Sequence, residues 1–129
     1  MSVPLNHILC IDDEDDILQV AKLSLEMVGG LQASLCRGSK QAVEEAARLR
    51  PDLILLDVMM PERDGPATLE ALRADPATAA IPIVFMTAKV QPAEVAHYLS
   101  LGAVGVISKP FDPMTLPDQI KALWNKKPV

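Results

Sequence analysis

Five residues of complementary chemistry stand at the ends of apolar runs: Asp12 and Asp13 after residues 7–11, Asp57 after 53–56, Thr87 after 81–86, and Lys109 shortly after 103–107. An Asp that follows a strand usually opens a loop or caps a turn, and Asp57 alone would be read that way. Its companions shift the balance. If the runs are strands of one open parallel sheet, their carboxyl ends share a rim, which is where such sheets gather ligands. Like charges about 4 Å apart repel by about 4 kcal/mol at an effective dielectric of 20, so three crowded carboxylates call for a cation. Magnesium takes oxygen ligands, keeps several waters and bridges carboxylates to phosphoryl groups, and Asp13 with Asp57 supplies enough protein charge to hold it. Lys109 then faces the phosphoryl oxygens and the Thr87 hydroxyl donates to one of them. The set outlines a phosphoryl-transfer site.

The intervening segments must deliver these residues to the rim. Asp12 to Asp16 form five consecutive acids that run into a helix, with Ile17, Val20, Ala21, Leu23, Leu25 and Val28 as its expected buried side and Gly29-Gly30 as its stop. Acids at a helix N-terminus are ordinary caps, but that role does not explain the pair directly at a strand end. Residues 32–36 read as an edge strand. A helix follows over 39–49, with Ser39 as cap, Val43, Ala46, Ala47 and Leu49 inward, and Arg50-Pro51 ending it. Asp64-Gly65-Pro66 opens a third helix and Asp75-Pro76 closes it. Residues 92–101 make a fourth, closed by Gly102, and the last runs regularly from Pro117 to about Asn125 because Pro113 and Pro117 cannot both lie deep within it. Five strands alternating with five helices fold, through right-handed crossovers, into a doubly wound parallel sheet of order 2-1-3-4-5.

Bulk properties narrow the function further. A chain of 129 residues has the size of one domain, and its 50% hydrophobic, 3% aromatic composition suits an aliphatic core between layers. The expected organisation is a single domain over 1–129, with a core of about 6–125 and no output domain. A net charge of −5 argues against a nucleic-acid surface. No run approaches the length of a membrane span and the start lacks a secretory pattern, so a soluble cytoplasmic protein is expected, with Cys10 and Cys36 as reduced core residues. His7, His97 and Trp124 lie away from the rim and read as surface or packing residues.

Over nearly its whole length the chain resembles the receiver domains of two-component response regulators, in the single-domain, chemotaxis-regulator-like form with a flavodoxin-like fold. The resemblance rests on Asp12-Asp13, on Asp57 followed by Met60-Pro61 and Asp64-Gly65, on Thr87-Ala88 and on Lys109-Pro110-Phe111. It implies that Asp57 accepts a phosphoryl group from a phosphohistidine on a sensor histidine kinase or a histidine phosphotransfer protein. It also implies that Asp13 binds Mg2+ directly, that Asp12 acts mainly through water, that the Met59 carbonyl completes the metal shell and that the Lys109-Pro110 bond is cis. Thr87 and Lys109 would relay the change to a protein-binding surface, whose target the sequence leaves unnamed. The chain would then catalyse only its own phosphoryl transfer and dephosphorylation. Two positions depart from the usual pattern: Val106 stands where many receivers carry Tyr or Phe, and Met59 where a polar side chain is common. A receiver-like module that is never phosphorylated is the alternative. A haloacid dehalogenase-like phosphatase is a poorer one, since it needs an acid where Met59 stands, and a Rossmann-type binder lacks its glycine-rich turn here.

Overall fold

The computed structural model describes residues 4–126; the outermost residues of the 1–129 assignment lie outside them. Five parallel strands, β1 (His7–Asp12), β2 (Gln32–Arg37), β3 (Leu53–Asp57), β4 (Ile83–Thr87) and β5 (Gly105–Ser108), form one sheet in the order β2-β1-β3-β4-β5. The helices are α1 (Asp15–Leu23), α2 (Ala42–Leu49), α3 (Gly65–Ala74), α4 (Pro92–Ser100) and α5 (Leu116–Lys126). This is the expected doubly wound arrangement.

Successive strand residues point to opposite faces, and the core divides accordingly. Ile8, Cys10, Leu53, Leu55, Val84 and Met86 pack with α1 and α5 through Leu18, Ala21, Ile120 and Trp124. Leu9, Ile11, Ile54, Leu56, Ile83 and Phe85 pack on the other face with α2, α3 and α4, through Ala46, Leu72 and Tyr98 among others. The central strands β3 and β4 are buried at every position, as continuous apolar runs covered on both sides should be. Trp124 joins the first cluster, and Cys10 and Cys36 are free and buried.

Two helices differ from their sequence expectation. The buried side of the first consists of Leu18, Ala21, Ser24 and Leu25, whereas Val20, Leu23 and Val28 are exposed. Its apolar residues spread over more than one face, so periodicity did not single out the inward one. A π-helical turn, Ser24–Val28, continues α1, and the polar Ser24 is accommodated there because its hydroxyl donates to the Pro113 carbonyl of the α5 approach. The second helix begins at Ala42, not at Ser39, and no side chain caps its first turn. Gly38, at φ 86°, turns the chain so that residues 39–41 remain outside the helix. Ala42 and Ala46 are its buried residues, with Val43, Ala47 and Leu49 half-buried.

The entry to α3 is tighter than the turn signal alone required. The Asp64 carboxylate caps the helix by accepting from the Ala67 N–H at 2.9 Å, and the Gly65 N–H donates to the Val58 carbonyl at 2.8 Å. A Cβ at Gly65 would lie 2.8 Å from Val58 Cα and 2.9 Å from the Asp57 carbonyl oxygen, both main-chain atoms of the site strand and its exit. Gly65→Ala should therefore destabilise the fold by about 2 kcal/mol through forced main-chain displacement. Gly105→Ala should be milder, because its Cβ meets the movable Leu123 side chain. Urea unfolding of the two variants side by side checks the ranking.

Candidate functional site

Strand register assembles the rim. β1 and β3 are neighbours with Ile11 opposite Leu56, so the next residue on each strand brings Asp12 and Asp57 side by side. Asp57 is level with Met86, one residue short of Thr87 on β4, and Thr87 is level with Ser108 on β5. The Lys109 N–H then donates to the Thr87 carbonyl at 2.9 Å, and the Lys109–Pro110 peptide bond is cis, as expected. Asp12, Asp57 and Thr87 are each 3% exposed. They are thus polar groups set in the end of a dry sheet, where an unmet charge is costly.

One cation meets much of that charge. Lys109 Nζ lies 3.2 Å from Asp12 Oδ2, 3.3 Å from Asp57 Oδ1 and 3.4 Å from Glu14 Oε1. The Asp12 Oδ1 atom accepts from the Glu14 N–H at 2.9 Å. Asp12 therefore has direct partners for both oxygens. Glu14 is the contributor that sequence reading missed. It was visible as one of five consecutive acids, but only the path of the side chains shows that it reaches the lysine. The Thr87 hydroxyl is turned to its own loop, accepting from the Lys89 N–H at 3.1 Å. Met59 follows β3 and is 71% exposed.

The remaining carboxylate oxygens are the informative ones. Asp13 Oδ1 and Asp57 Oδ2 are buried with no hydrogen-bond partner. One oxygen from each of Asp12, Asp13 and Asp57 lies within 4.8 Å of the others. An all-oxygen donor set that includes the orphaned, buried Asp13 Oδ1 fits a hard divalent cation, which would satisfy that oxygen and offset the charge of the three acids. Burial first, and the nearby Asp12 carboxylate second, push the Asp57 carboxyl from its usual 3.8 up to about 6, although Lys109 pulls the other way. Burial likewise raises Asp12, against the Glu14 N–H and Lys109. Burial works to lower Lys109, but Asp12 and Asp57 together hold its ammonium above the ordinary lysine value. His7 and His97 do not join the rim: His7 Nε2 lies 2.7 Å from Ser34 Oγ, and His97 is exposed on α4.

Comparison with known proteins agrees with this geometry. The response regulator receiver domain model matches residues 8–121. The DNA-binding dual master transcriptional regulator RpaA of Synechocystis sp. is 38% identical over 121 residues, covering 93% of this chain and 49% of RpaA. The phosphate regulon transcriptional regulatory protein PhoB of Pseudomonas aeruginosa is 36% identical over 119 residues, covering 92% of this chain and 52% of PhoB. The chain thus spans about half the length of the curated relatives it matches. Among solved structures, the chemotaxis response regulator CheY4 of Vibrio cholerae superposes with a TM-score of 0.84 at 27% identity, covering 93% of this chain and 99% of that one.

The raised Asp57 carboxyl has a consequence for stability. Its folded-state value near 6 exceeds the unfolded 3.8, so the native state binds more protons between them and stability falls as pH rises through that window. In chelator-treated protein at neutral pH, Asp57→Asn should gain on the order of 1–2 kcal/mol, after allowance for the weakened Lys109 contact. The gain should vanish at about pH 4, where wild-type Asp57 is protonated in the native state. Denaturant melts at the two pH values check it.

Proposed function

We propose a residue-level mechanism from the premise that the chain belongs to the response regulator receiver family of two-component signalling. Asp57 is the phosphoacceptor. Its Oδ2 forms the new bond to phosphorus while the bond from phosphorus to a phosphohistidine nitrogen breaks, and the departing imidazole takes up a proton. The observation that carries this reading is the state of the Asp57 carboxylate: Lys109 holds Oδ1, while Oδ2 is buried and without a partner. One oxygen is thereby oriented and the other left for chemistry.

Asp12, Asp13 and Asp57, with the Met59 main-chain carbonyl, would hold Mg2+. When bound, it neutralises part of the charge on the acids and on the transferring phosphoryl group. The protein's own contribution is positioning and fixed charge, which dominate phosphoryl transfer. Lys109, already between Asp12 and Asp57, stays near the phosphoryl oxygens and offsets their charge. The Thr87 hydroxyl leaves the Lys89 N–H and donates to a phosphoryl oxygen, moving residues 88–91 and with them the start of α4. Since Val106 supplies no aromatic ring to swing, that main-chain shift is the relay, and the surface near α4 and residues 104–106 changes for a protein target.

The donor is a sensor histidine kinase or a histidine phosphotransfer protein. The chain acts as a signalling protein whose chemistry is limited to its own phosphoryl gain and loss. A cytoplasmic location accords with the absence, among the described residues, of a helix long and apolar enough to cross a membrane.

Intact-mass analysis after incubation with a small phosphodonor and magnesium should show one added phosphoryl group on the wild type and none on Asp57→Asn. Equal labelling of the variant would remove Asp57 from the role. Magnesium alone should raise the melting temperature of the wild type, since it binds the native acids and not the unfolded chain, and Asp13→Ala should lose most of that response. Thermal melts over a magnesium titration check it.

A further inference from the structure

The aromatic ring that β5 lacks is supplied by α4. Val106 is level with Phe85 on the neighbouring strand, and both belong to the same side of the sheet. Phe85 is wholly buried, and with only a valine beside it on β5 its ring partner is Tyr98 of α4, the centroids 5.2 Å apart and the planes tilted by 55°. A tilted aromatic pair contributes attraction beyond the area it buries. Tyr98 is the one buried residue of α4, so this contact is the main hold of that helix on the core. The hold lies near the end of α4, whereas the Thr87 loop enters at its start. Phe85 also reaches toward the site. It precedes Thr87 by two residues on β4, which turns both side chains to one face. A Cβ at Gly65 would lie 3.0 Å from its Cε1 atom, and Gly65 is the residue that starts α3 against the Asp57 carbonyl. The Phe85 ring thus stands between the exit of β3 and α4. In a close-packed interior neither ring can shift without the other giving way.

We infer that the Tyr98–Phe85 ring contact is a latch that holds α4 in its resting position, and that Tyr98 is the aromatic residue that changes place when the site is phosphorylated. The inference rests on the relay given above, in which the Thr87 hydroxyl turns to a phosphoryl oxygen and residues 88–91 follow. A helix of nine residues is about 13 Å long and moves nearly as a rod, so a shift at Pro92 is carried to Tyr98. The contact opposes that shift in the resting chain, and so sets how much of the protein adopts the other arrangement without a phosphoryl group. Tyr98 touches no reacting atom. It is a positioning residue that acts through α4.

Tyr98 is the sole tyrosine of the chain, so incorporation of 3-fluorotyrosine gives a single fluorine resonance. That resonance and the backbone amides are followed by NMR as magnesium and beryllofluoride, a phosphoryl mimic, are added. The expected result is a fluorine shift that saturates together with the amide shifts of Asp57, Thr87 and Lys109. Tyr98→Leu keeps an apolar side chain in the core but loses the ring pair, and it should bind beryllofluoride about twofold to tenfold more tightly than wild type. Before any mimic is added, its amides over residues 88–99 should already lie part-way along the line from the resting to the mimic-bound positions of the wild type. Tyr98→Phe retains the pair and should match the wild type in both respects. If Tyr98 served packing alone, the leucine variant would melt lower with no gain in affinity and no movement along that line. That outcome, or a fluorine resonance that stays in place while Asp57 and Lys109 shift, would overturn the inference, and the fluorine measurement stands whether or not the leucine variant folds. No shift at Asp57 and Lys109 in the wild type would bring down the phosphoacceptor reading itself, and the latch with it.

Discussion

The contact of the Lys109 ammonium with the paired carboxylates of Asp12 and Asp57 is the constraint around which the rim is built. Two acids on adjacent strands, each almost wholly buried, would repel one another in a medium that screens poorly. The lysine comes from beyond β5, two strands away from β3, and reaches back to both. The acids and the cation are therefore held by parts of the sheet far apart in sequence, and the sheet order 2-1-3-4-5 is what brings them to one place. Even so, a single cation with divided attention does not satisfy the cluster. Asp13 Oδ1 and Asp57 Oδ2 remain unmet, and the site is left favourable to added positive charge.

The rim was legible in the sequence because it depends on strand ends, and strand ends are marked by the abrupt change from apolar runs to Asp12, Asp57, Thr87 and Ser108-Lys109. Alternation within those runs also decides which helices cover which face, so the layer architecture followed with little added information. What could not be read depends on side-chain reach and close approach. Glu14 looks like an ordinary helix-start acid until its carboxylate is seen at 3.4 Å from Lys109. Ser39 has the residue type of a cap, yet Gly38 turns the chain so that the helix starts three residues later. Gly65 reads as turn punctuation, whereas its missing Cβ is what lets α3 start against the main chain of Asp57 and Val58.

The first helix shows a further limit. Six apolar residues along it suggested a broad buried side, but only Ala21 and Leu25 of that set are buried, joined by Leu18 and Ser24. Hydrophobicity cannot distinguish apolar residues that face the core from those that do not when both kinds are plentiful. The burial of Ser24 depends on an acceptor 89 residues away in the chain, the Pro113 carbonyl, which no local pattern predicts.

Tyr98 is the one residue of α4 that is buried, its ring set 5.2 Å from that of Phe85. Leu99 and the flanking Val90 and Leu101 stay exposed. Most other helices enter the core through several side chains, whereas α4 is fastened at one point. In hydrogen-exchange terms it should form a separate, shallow cooperative unit, its amides opening without the sheet unfolding and at a lower free energy than the β3 and β4 amides. A small push at its first turn thus acts on the least anchored segment of the helical layer, and the rest of the molecule can remain rigid while that segment changes place.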